Sequence, residues 1–147
     1  MKASWVDYFM GLAKVVAGKS KDPVTQVGCV LVDMHQNSRA TGYNGLARKV
    51  QDLPERYSDR DLKLLMLVHA EANAVAAAAR AGVALYGATA LVTKPPCCQC
   101  AALFIQAGIC RVICPPIDQE SRWYKQQVLA VGMLQEAGVK VEVYDED

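Results

Sequence analysis

The chain has 147 residues, 52% of them hydrophobic, and a formal net charge of +1. That length and composition fit one compact domain over residues 1–147, with a substantial buried core. A charge this even excludes a protein that grips nucleic acid mainly by electrostatics, since such domains are clearly basic. No apolar run approaches the ~18 residues needed to span a bilayer.

Trp5, Tyr8, Phe9, Leu12, Val15 and Val16 recur at helical spacing and predict a first amphipathic helix that stops at Gly18. The polar and aromatic residues inside this stretch, Trp5, Asp7, Tyr8 and Lys14, make it unlike a secretory leader. Residues 19–23 are a polar turn. The β-branched run 27–33 predicts a buried strand, 40–42 its return, and Tyr43-Asn44-Gly45 a loop at its end. Residues 46–61 are charged, contain Pro54, and predict a short helix on a long connection, with 61–68 helical. The alanine-rich run 70–80 is a strong helix former closed by Gly82. Residues 88–93 predict a strand, and Pro95-Pro96 ends it and leads the chain into Cys97. A helix over 97–107, a strand over 111–114, a helix over 121–137 carrying Trp123, Val128, Leu129, Val131 and Leu134, a last strand over 139–144 and an acidic tail complete the order. The alternation α-β-β-α-β-α-β-α-β predicts a three-layer α-β-α domain around one central mixed sheet of about five strands.

Six cysteines, Cys29, Cys97, Cys98, Cys100, Cys110 and Cys114, do not space like a secreted disulfide framework. A reducing, cytoplasmic setting is expected, or a host cytoplasm if the source is viral. There a tight cysteine cluster points to metal or catalysis. Cys29, Cys98, Cys110 and Cys114 read most simply as small hydrophobes in or near the core.

Chemistry concentrates in His69-Ala70-Glu71 and, twenty-five residues on, Pro96-Cys97-Cys98-Gln99-Cys100. Catalytic zinc takes three nitrogen or sulfur ligands from the protein and leaves a place for water. His69, Cys97 and Cys100 meet that count, predicting one zinc per chain. Cys97 and Cys100 share one face of a helix's first turn, whose positive end favours thiolates. His69 and Glu71 would diverge by about 200° on a regular helix, so His69 is expected at or just before the helix start. Glu71 is then free to shuttle a proton from an activated water, the pattern of zinc deaminases. The same residues admit blander readings. A lone His at a helix start is usually structural, and C-x-x-C also serves as a redox pair. A structural zinc site would take a fourth ligand from Cys98, Cys110 or Cys114.

With these motifs the chain resembles the cytidine deaminase superfamily, and within it the deoxycytidylate (dCMP) deaminases. The likeness extends over nearly the whole chain, through Ser20-Lys21-Asp22-Pro23, Gln26-Val27-Gly28-Cys29, Gly42-Tyr43-Asn44-Gly45, His69-Ala70-Glu71-Ala72-Asn73-Ala74, Pro96-Cys97-Cys98-Gln99-Cys100-Ala101 and Ile105-Gln106-Ala107-Gly108-Ile109. The resemblance implies hydrolysis of dCMP to dUMP and ammonia, feeding dTMP synthesis. It implies His69, Cys97 and Cys100 as ligands, Glu71 as proton shuttle, Asn44 at the sugar or base, and the Ala70 N–H at the pyrimidine carbonyl. It further implies a homo-oligomer, often a hexamer, and control by dCTP and dTTP with Mg²⁺ accompanying the effector. The chain departs from many relatives by placing Leu46-Ala47-Arg48 after Gly45, in a loop that regulated members use for effectors. A nucleotide needs a cation for its phosphate. Lys19, Ser20 and Lys21 are the expected cradle, with Arg48, Arg111 and Arg122 as weaker candidates. Rival readings are another cytosine nucleotide (5-substituted dCMP or dCTP) or a free nucleoside, a tRNA adenosine deaminase, and a zinc-stabilised binding module without turnover.

Overall fold

A computed structural model describes residues 1–146, so Asp147 of the acidic tail lies outside the described residues. The elements are α1 (Ala3–Ala17), β1 (Gly28–Val32), β2 (Ser38–Tyr43), α2 (Glu55–Ser58), α3 (Arg60–Met66), α4 (Ala70–Ala81), β3 (Thr89–Val92), α5 (Cys98–Ala107), β4 (Arg111–Cys114), α6 (Tyr124–Glu136) and β5 (Lys140–Val143). The strands form one sheet in the order β2-β1-β3-β4-β5. β1 runs antiparallel to β2 and β3, whereas β3, β4 and β5 are parallel. A short turn joins β1 to β2. The parallel pairs need crossovers, which α5 and α6 supply.

Alternate residues of the inner strands face opposite layers. Val30, Val32, Leu91 and Ile113 pack on Phe9, Met10 and Ala13 of α1. Cys29, Leu31, Ala90, Val92 and Val112 pack on the other side against α4, α5 and α6, through Ala70, Ala74, Ala78, Ala101, Phe104, Ala130 and Leu134. This is the expected three-layer mixed-sheet architecture. The irregular stretch before α4 holds the two expected short helices, α2 within the charged connection and α3 just before α4.

The buried faces differ from the periodicity in two helices. Trp5, Tyr8 and Val15 of α1 are exposed, and its buried residues are Phe9, Met10, Ala13 and Ala17. Val128 and Leu129 of α6 are exposed as well, and Ala130 and Leu134 carry its contact. Small residues win because the helices lie close to the sheet. A Cβ on Gly28 would stand 1.9 Å from the Ala13 carbonyl oxygen, and one on Gly42 would stand 2.3 Å from that of Ala70. The second contact fixes the start of α4 against β2. Cys29 and Cys114 are buried as expected, but Cys110 is exposed, its thiol donating to the Gly87 carbonyl at the surface. None of the six cysteines is in a disulfide. No helix among the described residues is long and apolar enough to cross a membrane.

Candidate active site

Two helix starts meet at one end of the sheet. His69 is the N-cap of α4, with extended backbone (φ −68°, ψ 154°). Cys97 is the N-cap of α5, also extended (φ −80°, ψ 171°), and Cys100 lies in that helix's first turn. An extended cap turns the side chain off the helical path, so His69 escapes the divergence from Glu71 that a regular helix would impose. The His69 Nδ1 lies 3.4 Å from Cys97 Sγ and 3.5 Å from Cys100 Sγ. All three donor atoms lie within 4.8 Å of one another. Zinc bonds of ordinary length at a tetrahedral angle separate nitrogen from sulfur by about 3.6 Å, so the nitrogen and both sulfurs stand where zinc ligands would. The sulfurs also sit at the positive end of α5, which favours thiolates.

The charges are tuned by their neighbours. A hydrogen bond from Cys100 draws the Cys97 thiol well below the ordinary cysteine range, with His69 adding to the effect. The same hydrogen bond, with burial, pushes the Cys100 thiol up. Bonding to the Cys97 sulfur raises His69. Glu71, in the first turn of α4, is 5% exposed. Burial lifts its carboxyl from 4.5 to about 7, where a group both takes and gives protons near neutral pH.

His69, Ala70, Glu71 and Cys97 line a cavity of about 250 Å³. Its walls come from the loop before β1 (Asp22, Val24, Thr25, Val27), from Asn44, from α3 (Arg60, Lys63, Leu64), and from Lys94, Pro95, Arg122, Trp123 and Gln126. An apolar pocket over a His/Cys/Cys cluster and a tuned carboxyl suits a flat polar ring held beside a metal-activated water.

Residues 3–115 match the family model described as the cytidine and deoxycytidylate deaminase zinc-binding region. The chain belongs to that family. A deaminase of Aliivibrio fischeri, named for its place in the luxG 3′ region, is 38% identical over 143 residues, covering 96% of this chain and 94% of its own length. The mouse deoxycytidylate deaminase is 40% identical over 114 residues, 74% of this chain. This chain spans 63% of that enzyme and 58% of the probable deoxycytidylate deaminase of Drosophila melanogaster. In fold, the crystal structure of the cyanophage S-TIM5 dCMP deaminase with dCMP and dUMP superposes with a TM-score of 0.80 at 24% identity, covering 98% of this chain and 99% of the other.

Within the family frame, the residues expected to hold substrate separate into two groups. Ala70 lines the pocket, and as the first residue of α4 its N–H has no acceptor in its own helix. Asn44 lines the pocket too, but its side chain is engaged at both ends. Its Nδ2 donates to the Thr25 carbonyl at 2.8 Å and its Oδ1 accepts from the Val27 N–H at 2.8 Å. It therefore shapes the wall by pinning the loop before β1. Lys19, Ser20 and Lys21, the expected cradle, are not among the lining residues. The Ser20 hydroxyl is buried and donates to the Asn44 carbonyl, Lys21 pairs with Asp52, and Lys19 is exposed at the end of α1. Arg111 pairs with Glu142 on the sheet, and Arg48 is not in the pocket lining. The pocket cations are Arg60, Lys63, Lys94 and Arg122. Of these only Lys63 has an acid partner among the described residues, Asp22. Sequence reasoning singled out Arg122 as a weaker candidate and missed Arg60 and Lys94, which carry no local motif.

Proposed function

We propose that the chain is a zinc-dependent deoxycytidylate deaminase, converting dCMP and water to dUMP and ammonia and so feeding dTMP synthesis. The observation that carries this reading is the convergence of His69, Cys97 and Cys100 beside the buried Glu71 carboxyl at one pocket. The mouse relative's activity and the dCMP held by the cyanophage enzyme support the substrate. His69, Cys97 and Cys100 would hold the zinc, which supplies a Lewis acid able to bring water's pKa toward ~7.

The chain's own groups do the rest. Glu71 takes a proton from the attacking water and delivers it to ring N3. It then carries the second proton to the C4 amino group, which leaves as ammonia as the C4–N bond breaks. The Ala70 N–H, free of an acceptor in its own helix, would meet the pyrimidine carbonyl. Arg60, Lys94 and Arg122, with no acid partner among the described residues, are the side chains suited to the 5′-phosphate. Trp123 adds an aromatic wall. The near-neutral chain speaks against a nucleic-acid substrate. The unpaired thiols fit a reducing, cytoplasmic setting.

Effector control by dCTP with Mg²⁺ rests on the family resemblance, and the loop that would serve it departs from many relatives at Leu46-Ala47-Arg48. Gly45 and Val68 exchange backbone hydrogen bonds of 3.1 and 2.8 Å, so the loop after Asn44 is joined to the residue before His69. The oligomer expected by resemblance is part of the same reading. The test is ammonia release from dCMP, CMP, dCTP, deoxycytidine and 5-methyl-dCMP, with and without dCTP and Mg²⁺, on protein assayed for about one zinc per chain. Fastest turnover of dCMP is expected. Deoxycytidine turned over as well as dCMP would refute the nucleotide assignment.

A further inference from the structure

The Asp22 side chain is fully buried in the pocket wall, where its Oδ2 also accepts a long hydrogen bond of 3.5 Å from Asn44 Nδ2, and none of its hydrogen bonds reaches His69, Glu71, Cys97 or Cys100. Its Oδ1 accepts from the Val24 N–H at 2.9 Å, the Thr25 N–H at 3.2 Å and Lys63 Nζ at 3.0 Å. Its Oδ2 takes Lys63 Nζ again at 2.8 Å. Burial alone would raise this carboxyl, but Lys63 and the two amides outweigh it and hold it below the usual range.

The partner matters because of where it comes from. Lys63 belongs to α3, which has no buried residue at all. Leu62, Leu64 and Leu65 of this helix are exposed, so little apolar burial holds it to the body. Yet α3 brings Arg60, Lys63 and Leu64 to the pocket. The Asp22–Lys63 pair is the polar tie between that helix and the loop before β1. The same loop reaches α2 through Lys21, Asp52 and the Tyr57 hydroxyl, which donates to Asp52 at 2.8 Å. A buried ion pair contributes little net stability over an apolar pair of the same shape, while a lone buried charge is costly. The pair thus makes one arrangement of α3 far better than any with Lys63 withdrawn.

We infer that Asp22 is a positioning residue that latches α3, through Lys63, over the nucleotide pocket. It acts on substrate only through the wall it holds, and it rests on the deaminase reading for the identity of that substrate. Loss of the latch frees Arg60 and Leu64 from their places, which weakens nucleotide binding and leaves the His69, Cys97, Cys100 and Glu71 cluster intact.

The test combines Asp22→Asn, Lys63→Gln and the double variant with the conservative Lys63→Arg. Hydrogen exchange of the amides over 60–67 is read without substrate, alongside zinc content and dCMP kinetics. Asp22→Asn should speed exchange in α3, keep zinc at the wild-type level, and raise KM for dCMP roughly ten- to a hundredfold with kcat changed far less. The double variant should be no worse than either single one, and Lys63→Arg should restore both exchange and KM. Unchanged exchange in α3, or a loss confined to kcat, would overturn the latch. If Asp22→Asn does not fold, Lys63→Gln at its partly exposed position decides by the same exchange measurement. Faster exchange in a protein whose wild type ignores dCMP would keep the latch and reject the substrate reading instead.

Discussion

In the proposed reaction Glu71 is the residue on which the chemistry turns, and its burial makes two outcomes measurable. Glu71→Gln keeps the shape and removes the proton shuttle. It should retain zinc while ammonia release from dCMP falls roughly 10²–10⁴-fold; near-normal turnover would reject the proton role. The second outcome concerns zinc-free protein. Burial raises the Glu71 carboxyl from 4.5 to about 7. Between those values the folded chain holds a proton that the unfolded chain has released, so this group's contribution to stability falls as pH rises through the window. The shift corresponds to about 3 kcal/mol. In chelator-treated protein, Glu71→Gln should therefore gain on wild type by up to about that much from pH 4.5 to 7, read by urea unfolding. Parallel pH profiles would show that Glu71 titrates normally. At this scale the His/Cys/Cys cluster was legible because H-A-E and P-C-x-x-C are local spacings, each set at one helix start. Asn44 was legible as a pocket residue, but its hydrogen-bond partners were not. Its partners, Thr25 and Val27, lie 19 and 17 positions away, and no local pattern announces them.

At the scale of elements, order and type followed from the apolar runs and their breakers, whereas the choice of buried face did not. α1 carries apolar residues on more than one side. Trp5 stacks on Phe9 with ring centroids 5.7 Å apart, outside the core-facing stripe. Side-chain size misleads here, because the nearest approach belongs to Ala13 against Gly28. The equivalent approach in α4 has a functional consequence. A Cβ on Gly42 would come within 2.3 Å of the Ala70 carbonyl and 2.4 Å of the Ala74 nitrogen, both backbone atoms that cannot swing aside. Gly42→Ala must therefore push the start of α4 away from β2, carrying His69 and Glu71 with it. The expected cost is about 1–3 kcal/mol in stability, with zinc affinity lowered roughly tenfold or more as the imidazole leaves its sulfur partners. Calorimetric unfolding and competition against a zinc chelator measure the two effects. Wild-type zinc affinity in a folded Gly42→Ala protein would mean that the close packing does not set the ligand geometry.

The whole molecule decides which charges the pocket offers a substrate. Net charge is +1, so no global field marks an anion site. The pocket cations share a site only in three dimensions: Arg60 from α3, Lys94 after β3 and Arg122 before α6 line the same cavity. Lys19 and Lys21 drew attention because they are adjacent in sequence, yet the chain leaves them outside the lining, and Asp52 neutralises Lys21. The two placements predict opposite results. Arg60→Ala and Arg122→Ala each remove a charge suited to the phosphate, worth about 1.5–3 kcal/mol. KM for dCMP should rise roughly ten- to a hundredfold, while kcat/KM for deoxycytidine, which has no phosphate, should stay within about twofold. Added salt should raise KM for dCMP in wild type and much less in these variants, because screening acts on a charge–charge contact. Lys19→Ala should match wild type on both substrates. If instead Lys19→Ala raised KM for dCMP selectively and Arg122→Ala did not, the phosphate would lie at the end of α1, and the nucleotide would have to enter the pocket from the opposite side.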